Sequence, residues 1–165
     1  MRIFLVRHGD ADAEIPEGLG DEARALTAKA RQNTLAHFTT VAERIDKPDL
    51  ILTSPLVRTV QTSQLLSIAL KHEGPLKAHR SLLPDMPVGA LDKVLTDHAG
   101  ENLVLVGHQP SMGAMAAHLL GMQNFPKQVN PGTVIGLELQ DGEPAGTAAR
   151  LLFFAAPGQT VLEAL

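Results

Sequence analysis

The sequence predicts an α/β fold: a three-layer sandwich with a mostly parallel central sheet and helices on both faces. Three observations carry this. Continuous apolar runs at residues 3–6, 50–52 and 103–106 have the texture of strands buried on both faces. Between them lie segments whose apolar residues recur at spacings of three and four, as on one face of a helix. Strand and helix then alternate along the chain, the order expected of parallel strands joined by helical crossovers.

The elements follow in order. Ile3-Phe4-Leu5-Val6 is the first strand. Residues 9–25 are rich in Gly, Asp, Glu and Pro, lack clear periodicity and read as a loop or flap. Leu26-Thr27 opens a long helix with Leu35, Phe38, Val41, Ala42 and Ile45 inward, ended by Pro48. Leu50-Ile51-Leu52 is the second strand. Ser54-Pro55 starts a helix with proline at its first position, where the missing N–H costs nothing, and this helix runs to about Leu70. A short strand over residues 76–79 follows, then a helix over 88–98 with Val88, Leu91, Val94 and Leu95 inward. Residues 103–106 form the next strand, and Gln109-Pro110 leads another helix to Leu120. Residues 134–139 and 150–154 read as an antiparallel pair around the turn-rich Asp141-Gly142-Glu143-Pro144. No repeat, low-complexity tract or linker interrupts this pattern, so residues 1–165 are expected to form one domain.

Composition narrows the function. The chain has 14 basic and 18 acidic residues, a formal charge of −4, so it lacks the basic footprint of a nucleic-acid binder. Trp and Tyr are absent and Phe numbers five, which leaves few platforms for stacking bases. Cysteine is absent, which excludes thiolate catalysis, cysteine zinc sites and disulfides. The first apolar run, bounded by Arg2 and Arg7, is too short for a signal peptide or a membrane span. The expectation is a soluble, cytoplasmic protein with neither membrane nor nucleic-acid partner.

In open α/β sheets, ligands bind outside the carboxyl ends of the strands. That rule selects the residues after Val6, Leu52 and Val106: Arg7-His8-Gly9, Ser54 to Arg58, and Gly107-His108. Two arginines and two histidines would meet on one rim. Guanidinium groups match phosphate oxygens in pairs, and two helix N-termini would add favourable dipoles. Such a site stabilises a transferring phosphoryl group by positioning and charge. The sequence has no GxxxxGK[ST] loop and no HExxH pattern. A neutral imidazole can act as the nucleophile, and His8, beside Arg7 and before the permissive Gly9, is the candidate. Its other nitrogen would donate to a nearby carbonyl and fix the tautomer. The rival reading, a metal held by His8 and His108, is disfavoured because flanking arginines repel a divalent cation.

These residues resemble the histidine phosphatase superfamily, also called the phosphoglycerate mutase-like group. Arg7-His8-Gly9 matches its RHG motif. Thr53-Ser54-Pro55-Leu56-Val57-Arg58-Thr59-Val60-Gln61-Thr62 is similar to its SPxxRxxQT motif, and Val106-Gly107-His108-Gln109-Pro110 to its VGHxP motif. Within the superfamily, Arg7-His8-Gly9-Asp10-Ala11 and the segment Asp21, Arg24-Ala25-Leu26-Thr27 resemble the RHGDA opening and DxxRxLT segment of the SixA-type branch. The sequence departs from that branch at Ala30, where glycine is usual, and at Thr59, where alanine is common.

The resemblance implies that His8 accepts the phosphoryl group and that Arg7, Arg58 and His108 bind it, with no metal or cofactor. Ser54 is a further candidate phosphate ligand, and Asp21 and Arg24 are candidate substrate contacts. The superfamily's proton donor lies in the loop after the third strand, which makes Asp85 the candidate general acid; a phosphohistidine substrate relaxes that requirement. The 49 residues between Arg58 and His108 (positions 59–107) leave little chain for a cap, which suits a protein-borne phosphohistidine. The leading expectation is therefore a monomeric phosphohistidine phosphatase acting on a signalling or phosphotransfer protein. A phosphatase for small phosphate esters and a non-catalytic phosphate-binding adaptor are the alternatives. His37, His72, His79, His98 and His118 are expected to be structural or surface residues, with His37 on the wet side of its helix. Met112, Met115 and Met122 are expected to fill the core.

Overall fold

The computed structural model describes residues 1–140 and 149–165. The apolar runs form strands β1 (Arg2–Arg7), β2 (Leu50–Thr53), β3 (Leu76–Ala78), β4 (Leu103–Gly107), β5 (Val134–Glu138) and β6 (Arg150–Ala155). They build a six-stranded sheet in the order β3-β2-β4-β1-β5-β6. The pairs β2–β3, β2–β4 and β1–β4 are parallel, while β5 pairs antiparallel with both β1 and β6. The expected antiparallel pair at the end of the chain is therefore present; the turn segment assigned to residues 141–144 lies outside the described residues.

Helices α1 (Ala28–Val41), α2 (Val57–Leu70), α3 (Val88–Asp97) and α4 (Ser111–Leu119) pack on the two faces. Alternation along each strand divides the core in two. Ile3, Leu5, Leu50, Leu52, Leu103, Leu105, Ile135 and Leu137 face Leu91, Val94 and Leu95 of α3 and Met112, Met115 and Leu119 of α4. Phe4, Val6, Ile51, Val104, Val106 and Val134 face Phe38 and Val41 of α1 and Leu66 of α2. This is the three-layer sandwich the sequence predicts.

The differences are local and have identifiable causes. Thr27 caps α1 by accepting the Ala30 N–H at 3.0 Å. The buried face of α1 is Ala30, Thr34, Phe38 and Val41, and Leu35 is only half-buried. The helix gives way at Ala42–Arg44 to a tighter 3-10 turn, which still delivers Ile45 to the core, so α1 ends ahead of Pro48. Neither proline opens its helix as the first helical residue. Ser54 still donates its N–H to Val106 O (2.9 Å), so the chain is leaving the sheet there and α2 begins only at Val57. Pro110 is the N-cap of α4.

Some smaller expectations also change. His37 is half-buried and bonded to Ala155 O (3.2 Å), so it ties α1 to the end of β6 and does not lie on a wet face. His118 contacts Asp92 (3.0 Å) and His79 accepts the Ser81 N–H, partners that are not evident in the sequence. Met112 and Met115 are core residues, but Met122 is 39% exposed. No helix among the described residues is long and apolar enough to cross a membrane.

Candidate active site

The parallel pairing of β1, β4 and β2 puts three strand ends level: Arg7 opposite Gly107, and Thr53 opposite Val106. The ladder continues one residue further, with His8 N–H donating to Gly107 O (3.1 Å) and Ser54 N–H to Val106 O. The main chain thus places His8, Ser54 and His108 side by side before any side-chain contact is considered. An open cavity of about 320 Å³ lies over this rim, lined by Arg7, His8, Asp10, Ala11, Arg24, Arg58, Pro84, His108, Gln109 and Pro131.

His8 is fixed by its neighbour. Its Nδ1 lies 2.6 Å from Gly9 O, and because a carbonyl only accepts, Nδ1 carries the proton. Nε2 then keeps its lone pair, the state a nucleophile needs. Burial lowers the His8 pKa to about 4; the Gly9 carbonyl opposes this, and the charges of Arg58, Arg7 and Arg24 assist it. Gly9 donates its N–H to Thr62 Oγ1 (3.1 Å), which in turn donates to Arg58 O (2.7 Å), so the second-motif helix holds the first-motif loop. A side chain at Gly9 would meet Thr34 Oγ1 at 2.6 Å, so the close approach of loop and helix requires glycine.

His108 faces His8 with ring centroids 5.2 Å apart. Burial lowers its pKa to about 3, helped by His8, Arg58 and Arg7 and opposed by Asp21. Its Nε2 lies 2.8 Å from Ser54 Oγ. Ser54 is fully buried, is absent from the cavity lining and spends its hydroxyl on His108. It is placed to orient an imidazole, which differs from the phosphate contact the sequence suggests.

The guanidinium groups are held from outside the cavity. Arg7 gives Nη1 to Val129 O (2.9 Å), and its backbone N–H to Thr133 O. Gly132, at φ +82°, donates one N–H toward both Arg7 O and His8 O (3.1 Å each). Burial lowers the Arg7 pKa, opposed by Asp10. Arg58 is only 4% exposed and gives Nη1 to Asp21 O and Nη2 to Asp21 Oδ2, both at 3.0 Å. Arg24 adds its Nε to Asp21 Oδ1 (2.7 Å) and its Nη1 to Asp12 O (3.1 Å). These bonds to Arg24 and Arg58 hold the Asp21 carboxyl below the usual range. The Nε atoms of Arg7 and Arg58 are buried without a partner among the described residues. A buried unpaired donor costs about 1–3 kcal/mol, and the three arginines that line the cavity, Arg7, Arg24 and Arg58, give it the charge to hold an anion.

Arg7, His8, Arg58 and His108 are therefore brought together, as the motifs require, and Arg24 joins them. Asp21 touches the cavity through Arg58 and Arg24. Asp85 is not brought in: it is exposed, at φ +65°, and Pro84 lines the cavity in its place. Leu82, three residues earlier, is buried in the core with Leu91, Val94 and Leu95, while Asp85 is exposed. The expected contribution of helix N-termini is also smaller at α4, whose Met112 and Gly113 N–H groups are taken by His108 O and Gln109 Oε1. Sequence reasoning did not find Gln109 or Asp10 as lining residues, although both flank motif histidines. It had no signal at all for Val129, whose carbonyl holds Arg7 from 122 positions away. No cluster of three His, Cys, Asp or Glu suited to a metal occurs among the described residues.

Residues 3–82 match the model of the histidine phosphatase superfamily, branch 1. The chain is 30% identical over 154 residues to a phosphohistidine phosphatase SixA homolog of Haemophilus influenzae, covering 86% of this chain and 90% of that protein. Among solved structures, it resembles the protein histidine phosphatase SixA complexed with tungstate, with a TM-score of 0.82, 20% identity, and 95% and 97% of the two chains covered. A mycobacterial glucosyl-3-phosphoglycerate phosphatase shares the fold at a TM-score of 0.67 and 17% identity, covering 91% of this chain and 96% of that one. With three ordered motifs meeting in one anion cavity and a relative of this identity and coverage, the chain belongs to the histidine phosphatase superfamily, in its SixA-type branch, and is a hydrolase of the phosphatase class.

Proposed function

We propose that the protein is a phosphohistidine phosphatase that removes the phosphoryl group from a histidine of another protein, through a phosphohistidine intermediate on His8. The observation that carries this is the His8 ring: Nδ1 bound to Gly9 O, Nε2 unprotonated, and His108 facing it at 5.2 Å beside a cavity lined by Arg7, Arg24 and Arg58.

In this reading, Arg7 and Arg58 hold the phosphoryl oxygens and offset the charge that spreads over them in the transition state. Arg24 adds a third guanidinium at the rim. His8 Nε2 attacks phosphorus as the bond from phosphorus to the substrate nitrogen breaks, and the substrate imidazole, already protonated on its distal nitrogen, leaves neutral. His108, oriented by Ser54, contacts the transferring oxygens. Water then attacks the phosphorus on His8, and inorganic phosphate departs with the neutral ring restored. The arginines supply the positive charge, so the steps run without a metal. An imidazole leaving group is protonated near neutral pH, which suits a cavity that lacks the Asp85 carboxyl. The SixA names of the relatives support the substrate class.

The test is a mixing experiment with a phosphohistidine protein labelled on phosphorus. An acid-labile, base-stable label should appear on His8 and vanish as phosphate is released, and His8→Ala should abolish turnover while phosphate still binds. Full turnover by His8→Ala would refute the mechanism. Efficient hydrolysis of small phosphate esters with no release from the phosphohistidine protein would refute the substrate class.

A further inference from the structure

The described surface carries exposed apolar side chains where core packing has no use for them. Ile15, Leu19 and Val57 are 49%, 59% and 37% exposed. All three lie next to lining residues in the chain: Val57 adjoins Arg58, and Ile15 and Leu19 belong to the loop between Ala11 and Arg24. Leu19 lies two residues before Asp21, which holds both terminal nitrogens of Arg58. That loop has a defined shape: its base is closed by the Ala11–Leu26 bridge and by Asp12 N–H donating to Ala25 O (2.7 Å), and its tip turns on Leu19 N–H donating to Pro16 O (3.1 Å).

The charge of this lip is the second observation. Residues 10–23 hold Asp10, Asp12, Glu14, Glu17, Asp21 and Glu22 and no lysine or arginine. Asp21 is neutralised by Arg24 and Arg58, and Asp12 and Glu22 accept N–H groups of Glu14 and Gly20 within the loop. Glu14 and Glu17 are exposed and enter no ion pair among the described residues. An acidic lip beside a cationic pocket slows a free small phosphate anion and attracts a basic surface. Exposed apolar groups on the same lip gain by being covered.

We propose that the loop over residues 12–22, together with Val57, is the docking surface for a protein whose phosphohistidine is surrounded by apolar and basic side chains. Its apolar groups cover Ile15, Leu19 and Val57, its cations meet Glu14 and Glu17, and its phosphoryl group enters the cavity between Arg24 and Arg58. This rests on the phosphohistidine reading above and adds where the partner sits and what surface it must offer.

The experiment compares kcat/KM on three probes: a phosphohistidine peptide flanked by leucine and lysine, one flanked by serine and glutamate, and free phosphohistidine. The wild type should favour the leucine–lysine peptide about tenfold over the serine–glutamate one, the preference shrinking with added salt. The variant Glu14→Gln, Ile15→Ser, Glu17→Gln, Leu19→Ser should lose that preference while acting on free phosphohistidine at least as fast as the wild type. Glu14→Lys with Glu17→Lys, at exposed positions that leave the core untouched, should invert it. Equal rates on the two peptides, or a preference that survives in the variants, would overturn the docking surface and leave the phosphatase reading standing. Failure on every phosphohistidine probe, with small esters still hydrolysed, would overturn both.

Discussion

A buried, neutral His8 makes a quantitative demand on stability as a function of pH. In the unfolded chain its imidazole titrates near 6.5; in the folded protein, burial has lowered that value to about 4. Between these values the unfolded state binds the additional proton, so stability falls as pH falls, and the loss levels off below the folded value. Above 6.5 both states are neutral and the group contributes no pH dependence. Going from about pH 7.5 to about pH 4.5, the linkage amounts to about 2.5 kcal/mol of stability lost through this one residue. Replacing it by Asn removes that proton uptake. His108 is also buried and neutral, and His8 is among the causes that lower its pKa, so the substitution weakens the penalty on His108 as well and widens the gap. Urea unfolding of wild type and His8→Asn across this range should give curves that diverge toward acid, the wild type losing at least about 2.5 kcal/mol more. Parallel curves would show that the ring is not buried in its neutral form, and the argument for an unprotonated nucleophile would go with it.

Three further outcomes follow from named contacts. Ser54→Ala leaves His108 Nε2 without its 2.8 Å partner in a buried site; it should cost about 1–3 kcal/mol in urea unfolding and lower kcat/KM, and an unchanged kcat/KM would remove Ser54 from the mechanism. Thr62→Val keeps the shape but deprives the Gly9 N–H of its acceptor, at a cost of about 1–3 kcal/mol, and should reduce kcat because the Gly9 carbonyl sets the His8 tautomer. Leu66→Ala, at a fully buried position between α2 and the sheet, should cost about 2–5 kcal/mol by calorimetry or urea while the folded enzyme keeps its kcat, since the cavity does not include it.

The strands were legible because a buried strand is a local signal: a few consecutive apolar residues declare it wherever they lie. The helix starts were less so. Ser54-Pro55 and Gln109-Pro110 mark helix entry by composition, yet the first helical residues are Val57 and Ser111, because the chain remains bonded to the sheet through Ser54 N–H and turns at Pro110 before it coils. Asp85 was a candidate only by the family resemblance, and the direction of a loop side chain depends on tertiary packing that no local pattern shows; here it is exposed.

By itself, the sequence determined which chemical groups stand at the ends of the central strands: Arg7, His8, Arg58 and His108, in three motifs whose order assigns the family. The tertiary structure decided what each group is free to do. Ser54 serves His108 across 54 positions, Val129 O holds Arg7 across 122, and Asp21 takes Arg58 across 37. Burial sets the protonation of both histidines. These properties arise between residues far apart in the chain, from packing and the removal of water, and so no local pattern of residue types encodes them.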